Sequence, residues 1–160
     1  MKSESLHAGN AIWDDGEWVS WTEINQQIYE AEEADMLEKM IHLAKEYLKL
    51  TGRPLPIYGE IGELFAERHY GIERHRPGAQ GSDGRLMDGF VEVKTITPFK
   101  SNDVVLVKRA GNFNRLVIVR IDKDHRIDSR IIHRNEMPEG NGKFMKVTWD
   151  QVRPGTNEIQ

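Results

Sequence analysis

Near residue 72 the chain changes its hydrophobic period, and this divides it into a helical front and a stranded rear. Before that point, Ile24, Ile28, Ala31, Ala34, Leu37, Ile41, Ala44 and Leu48 recur at steps of three and four, which makes one helical stripe. Beyond it, residues 90–97 read FVEVKTIT, and further β-branched runs follow at 104–107, 116–121 and 127–132. Turn residues separate these runs, with Asp122 to His125 joining the last two as a hairpin. Residues 145–149 suit a short final strand, and 153–160 a frayed tail. This order of elements predicts an α/β domain with a mixed, mainly antiparallel central sheet flanked by helices, and a long N-terminal helical segment.

The helix ends are marked locally. Ser20 and Glu23 have capping-box spacing, and Gly52 followed by Pro54 supplies a stop. One helix over this span is long for the domain, so a break is expected near the acidic residues 30–35. A second helix is expected from residue 57 to 70, with Ile61, Leu64 and Phe65 apolar and Gly71 at its end. Glu60, Glu63 and Glu67 share another of its faces, being three and four residues apart. The chain of 160 residues fits one domain: an irregular arm at 1–19, a helical segment at 20–52, a core at 57–134 and an extension at 135–160. Trp13, Trp18 and Trp21 crowd the arm among acids, which suits pinning it to protein more than stacking on bases.

Composition narrows the classes. There is no cysteine, which excludes disulfides and thiolate zinc sites. No apolar run approaches membrane length and no secretory signal is visible, so a cytoplasmic protein without a membrane partner is expected. The net charge of −4 hides an uneven distribution. Residues 1–50 hold 4 basic and 11 acidic side chains, whereas residues 85–134 hold 11 and 6. Binding to phosphate depends on the local field, so the basic middle is open to a nucleic-acid partner.

The chemistry concentrates in one predicted hairpin. With Asp88-Gly89 as a two-residue turn, Arg85 opposes Glu92 and Asp83 opposes Lys94. Opposed residues share a face, so Asp83, Arg85, Glu92 and Lys94 project from one side and Leu86, Val91 and Val93 from the other. Two carboxylates and an ammonium then meet on one patch. Carboxylates of this kind hold Mg²⁺ or Mn²⁺, which activates water against a phosphodiester, and a nearby lysine orients the water or stabilises developing charge. The same pattern also describes a surface hairpin with a cross-strand Asp83–Lys94 ion pair. A lone Glu-x-Lys decides nothing; its place inside an apolar strand gives it weight, because unpaired charge is costly there. The histidines lack zinc-hydrolase spacing, and Gly78, Gly81 and Gly84 lack the lysine and the helix of a P-loop.

Residues 59–97 resemble the core of the PD-(D/E)XK nuclease superfamily, which includes restriction endonucleases and archaeal Holliday-junction resolvases. Its pattern is a helix bearing a glutamate, an aspartate on a strand, then Glu-x-Lys on the next strand. The resemblance implies a restriction-endonuclease-like fold, with Asp83 and Glu92 as metal ligands and Lys94 as the catalytic lysine. Gly62-Glu63 followed by Ala66 resembles the family's Gly-Glu-x-x-Ala, which makes Glu63 the first candidate for the helix carboxylate and Glu60 the second. Ser82 stands where the family often has proline, and residues 98–115 show no stripe for the helix usually found there. The implied function is Mg²⁺- or Mn²⁺-dependent hydrolysis of phosphodiesters in DNA, with RNA offering the same bond. Arg74, Arg76, Arg85 and Lys100 are the expected phosphate contacts. The alternative is an inactive nuclease-fold subunit that binds or scaffolds within a nucleic-acid-processing or defence complex. A homodimer through the long helix would give two sites on one duplex, and a partner subunit is expected to supply specificity, because no recognition element is visible.

Overall fold

The computed structural model describes residues 11–14 and 17–154. Within it the chain divides into two compact units, the first ending at Lys39 and the second beginning at Met40, where the sequence reads as one domain. In the first unit, strand β1 (Ala11–Asp14) pairs antiparallel with β2 (Glu17–Ser20), placing Trp13 opposite Trp18. This hairpin corrects the irregular arm expected there. Aromatic and β-branched residues populate both strands, and the loop to be closed is short. The tail expected beyond residue 153 lies largely outside the described residues.

Helix α1 (Trp21–Thr51) is continuous over 31 residues, about 46 Å at 1.5 Å per residue. Ser20 and Glu23 form the expected capping box: the Ser20 amide donates to Glu23 Oε2 at 2.9 Å and the Glu23 amide to Ser20 Oγ at 3.1 Å. The expected break at 30–35 is absent. That stretch has no glycine or proline, Glu30, Glu32 and Asp35 are exposed, and Lys39 pairs with Asp35 one turn on at 2.5 Å. Gly52, at φ 68°, ends the helix by donating to the Leu48 carbonyl at 2.8 Å. Among the described residues no helix is long and apolar enough to cross a membrane.

The second unit is built on a five-stranded sheet. After α2 (Tyr58–Tyr70) come β3 (Glu73–Arg74), β4 (Gly84–Leu86), β5 (Gly89–Ile96), β6 (Val104–Lys108), β7 (Arg115–Ile121), β8 (Ile127–His133) and β9 (Phe144–Thr148). The order is β3-β4-β5-β7-β8, and only β5 and β7 run parallel. A parallel pair needs a crossover, usually helical. Here the connection carries β6 instead, which pairs antiparallel with β9 in a separate two-stranded sheet. The structure is thus mixed α/β with a mostly antiparallel sheet and two helices.

Strand β5 has different layers on its two faces. On one side α2 packs against β5 and β7. The approach is so close that a Cβ on Gly62 would lie 2.0 Å from Thr95 Oγ1. On the other side, Ile96, Leu116 and Ile118 join Val105, Val107, Met145, Val147 and Trp149 in a buried cluster. The C-terminal stretch is therefore part of the core. The ring of Trp149 carries the guanidinium groups of Arg120 and Arg130 at 4.3 Å, and Arg130 donates to the Trp149 and Val152 carbonyls at 2.9 Å.

The Gly62 contact predicts opposite signs for two changes on one helix. Gly62→Ala is expected to destabilise by about 1–3 kcal/mol, as overpacking does. Gly59→Ala meets open space and is expected to be neutral or stabilising by up to about 1 kcal/mol. Urea denaturation of the two variants checks both, and Thr95→Ala should recover part of the Gly62→Ala loss.

Candidate active site

The hairpin forms, but in another register. Leu86 opposes Gly89, Arg85 opposes Phe90 and Gly84 opposes Val91. The turn is therefore Met87-Asp88, with Met87 at φ 55°, and Asp88-Gly89 is not the turn pair. The reason is tertiary. Arg115 Nη1 donates to the Leu86 carbonyl at 3.1 Å, and the Phe90 amide donates to Asn114 Oδ1 at 2.8 Å. A Cβ on Gly89 would lie 2.8 Å from Arg115 Nη1 and 3.0 Å from Asn114 Oδ1, so the small residue lets these two side chains sit against the start of β5. The slip is by two residues, which leaves the faces unchanged.

Asp83 consequently sits just beyond the β3–β4–β5 ladder at the level of Glu92, not opposite Lys94. Its amide donates to the Val91 carbonyl at 2.9 Å, and its Oδ2 accepts from the Val93 amide at 2.7 Å. The side chain thus takes the place of a backbone acceptor just before β4 begins. Glu92 and Lys94, two residues apart on one face, form an ion pair of 2.5 Å between Nζ and Oε1. The cross-strand Asp83–Lys94 pair is replaced by this one. Both side chains are partly buried, Glu92 at 17% and Lys94 at 33% exposure.

Asp83, Glu92 and Lys94 line one cleft of ≈ 850 Å³. Its other walls are the loop Ala79 to Ser82, the turn at Ala110 and Gly111, and Leu106, Lys108, Phe113 and Phe144. Small residues on two sides let a backbone approach closely. Lys108 and Phe144 are opposed on β6 and β9, and sequence reasoning misses them. The alternation in VVLVK and FMKVT places Leu106 with Lys108 and Phe144 with Lys146 on single strand faces. Nothing local shows that β6 finds β9 across 35 intervening residues.

Glu63 stands behind the cleft, not in its lining. Burial pushes its carboxyl above the usual range, and the negative charges of Asp83 and Glu60 push the same way, against Arg74 and Lys94. Its electrostatic neighbours therefore include two members of the cleft. Glu60 is more exposed, at 58%, and is held by Arg74 Nη1 at 2.6 Å. Arg74 also pairs with Glu67 at 2.6 Å and lies 3.9 Å from Glu63. The arginine expected on phosphate is thus engaged by the glutamates of α2. Arg85 is exposed and lies 5.9 Å from the Phe90 ring centroid, Lys100 donates to the Val104 carbonyl, and Arg76 is exposed on the loop after β3. None of these four lines the cleft among the described residues.

Among the described residues no group of three or more His, Asp and Glu side chains is placed to hold a metal ion. The donor chemistry of the cleft is two carboxylates from Asp83 and Glu92, which fits a hard cation that keeps several of its waters. No family model matches the chain, and a search of curated proteins finds no match.

The raised value at Glu63 has a sign that stability measures. The native state holds this proton above the ordinary carboxyl value of 4.5, so ionising Glu63 opposes folding as pH rises through that window. Glu63→Gln is expected to melt at the wild-type temperature below that value and above it at neutral pH. Thermal melts of both proteins across this range check the sign.

Proposed function

We propose that this chain is a nuclease of PD-(D/E)XK type that hydrolyses phosphodiester bonds, with DNA as the first substrate to test. The observation that carries the proposal is the convergence of Asp83, Glu92 and Lys94 on one open cleft. Asp83 and Glu92 would hold Mg²⁺ or Mn²⁺, which when bound activates water and offsets charge on the phosphate. Lys94 brings its ammonium to the same wall, where it orients a water or stabilises charge that develops on a phosphate oxygen. The Glu92 carboxylate keeps the ammonium in place at 2.5 Å. Glu63 adds negative charge behind Asp83 and Lys94, and its position on α2 makes it a better helix carboxylate than Glu60, which Arg74 occupies.

The test is incubation with linear, circular, single-stranded and branched DNA, and with RNA, with and without Mg²⁺ or Mn²⁺. Metal-dependent cleavage is expected, falling at least about 100-fold in Asp83→Ala and in Lys94→Ala. Cleavage that survives either change overturns the assignment of these residues.

A second reading is an inactive nuclease-fold subunit that binds within a larger assembly. It is favoured by the internal partners of the cleft residues, since Lys94 holds Glu92 and the Val93 amide holds Asp83. Calorimetric titration with Mn²⁺ separates the two. Binding that disappears in Asp83→Ala supports the enzyme, and a flat titration together with no cleavage supports the binding subunit.

A further inference from the structure

The cleft has a second wall that hydrolysis alone leaves unexplained. The outward face of the β6–β9 sheet presents Leu106 opposite Lys146 and Lys108 opposite Phe144. All four are exposed. Phe144 and Leu106 are large apolar side chains at 43% and 51% exposure, while the inward residues Val105, Val107, Met145 and Val147 fill the core. Packing thus accounts for the inward half of this sheet and not for the outward half. Leu106, Lys108 and Phe144 line the same cleft as Asp83, Glu92 and Lys94. Lys143 adds a third cation, its Nζ 5.6 Å from the Phe144 ring centroid.

An exposed aromatic ring ringed by lysines matches one ligand chemistry closely. A nucleotide has a flat π face and an anionic backbone, and single-strand binders pair stacking rings with cations for that reason. In a duplex both faces of a base are covered by neighbouring bases, so a ring on a cleft wall reaches only a base that is out of the stack. The ≈ 850 Å³ of this cleft lies in the range that takes ligands of drug size. A patch for a protein partner would bury apolar area and exclude charge from its centre, whereas here lysines alternate with the apolar residues.

We infer that the outward face of the β6–β9 sheet binds an unpaired nucleotide of the substrate, with Phe144 stacking on the base and Lys108 and Lys146 on the flanking phosphates. The inference rests on the nuclease reading and narrows its substrate to single-stranded or locally unpaired nucleic acid. Leu106 supports the stacked base from the neighbouring strand, and the lysines hold the chain so that the next phosphate reaches Lys94.

The test is fluorescence anisotropy in EDTA, which separates binding from cleavage. The probes are a labelled single strand of roughly 15 nucleotides, long enough for one binding site, and the blunt duplex of the same sequence. The single strand is expected to bind more tightly than the duplex. Phe144→Ala and Phe144→Leu should weaken single-strand binding by roughly 5- to 100-fold, and Phe144→Trp should restore it. Lys108→Ala and Lys146→Ala should each reduce the slope of log affinity against log salt by about 0.7. Circular dichroism melts of each variant confirm folding; these positions face solvent. Equal affinity for duplex and single strand, or binding indifferent to Phe144, overturns the inference. If cleavage still depends on Asp83 in that case, the nuclease reading survives without it. If binding depends on Phe144 but no metal supports cleavage of any substrate, the single-strand site stands and the hydrolytic reading falls.

Discussion

Strand β5 carries the second unit because it is shared by every layer. It pairs with β4 on one edge and with β7 on the other. One face receives α2 through Gly62 on Thr95, and the other buries Ile96 in the cluster built by β6 and β9. Two-residue periodicity then decides what is left for chemistry. Glu92 and Lys94 lie on the same face as Ile96, toward the strand's beginning, where the small sheet no longer covers them and the cleft opens. Two charges can persist in an apolar strand because they pair with each other and remain in reach of water.

The parallel pairing of β5 with β7 has a further effect. Bypassing a helix, the crossover delivers β6 to the rim of the site and leaves its outward side exposed. The glutamates of α2 meanwhile draw Arg74 onto their own helix. Positive charge near the cleft thus comes from Lys94, Lys108, Lys143 and Lys146, and less from the arginines that precede the site in sequence.

What could be read from the sequence follows the range of the interactions involved. Helix ends were legible because their caps are local: Ser20 with Glu23, Gly52 with Leu48, and Gly71 with Glu67. The positions of β5 to β9 were legible from their β-branched runs, as were the shared faces of Asp83, Arg85, Glu92 and Lys94, whereas the β1–β2 hairpin was not. Register was not, because it depends on Asn114 and Arg115, which act across separations of 24 and 29 residues. Gly89 shows the difference, since contacts from Asn114 and Arg115 take it into β5 and out of the turn. The wall formed by Lys108 and Phe144 was out of reach for the same reason, since it exists only when two distant strands pair.

Asp83 has a dual position that gives the site an internal gauge. Its Oδ2 is the terminal rung of the β5 ladder, accepting from the Val93 amide. An event that turns Oδ2 itself toward the cleft would loosen that rung, whereas a ligand held through Oδ1 alone would leave it in place. In the first case exchange of the Val93 amide proton with solvent would quicken while its neighbours in β5 stay protected. A single backbone amide therefore reports what the carboxylate is doing, even in conditions where no bond is being broken.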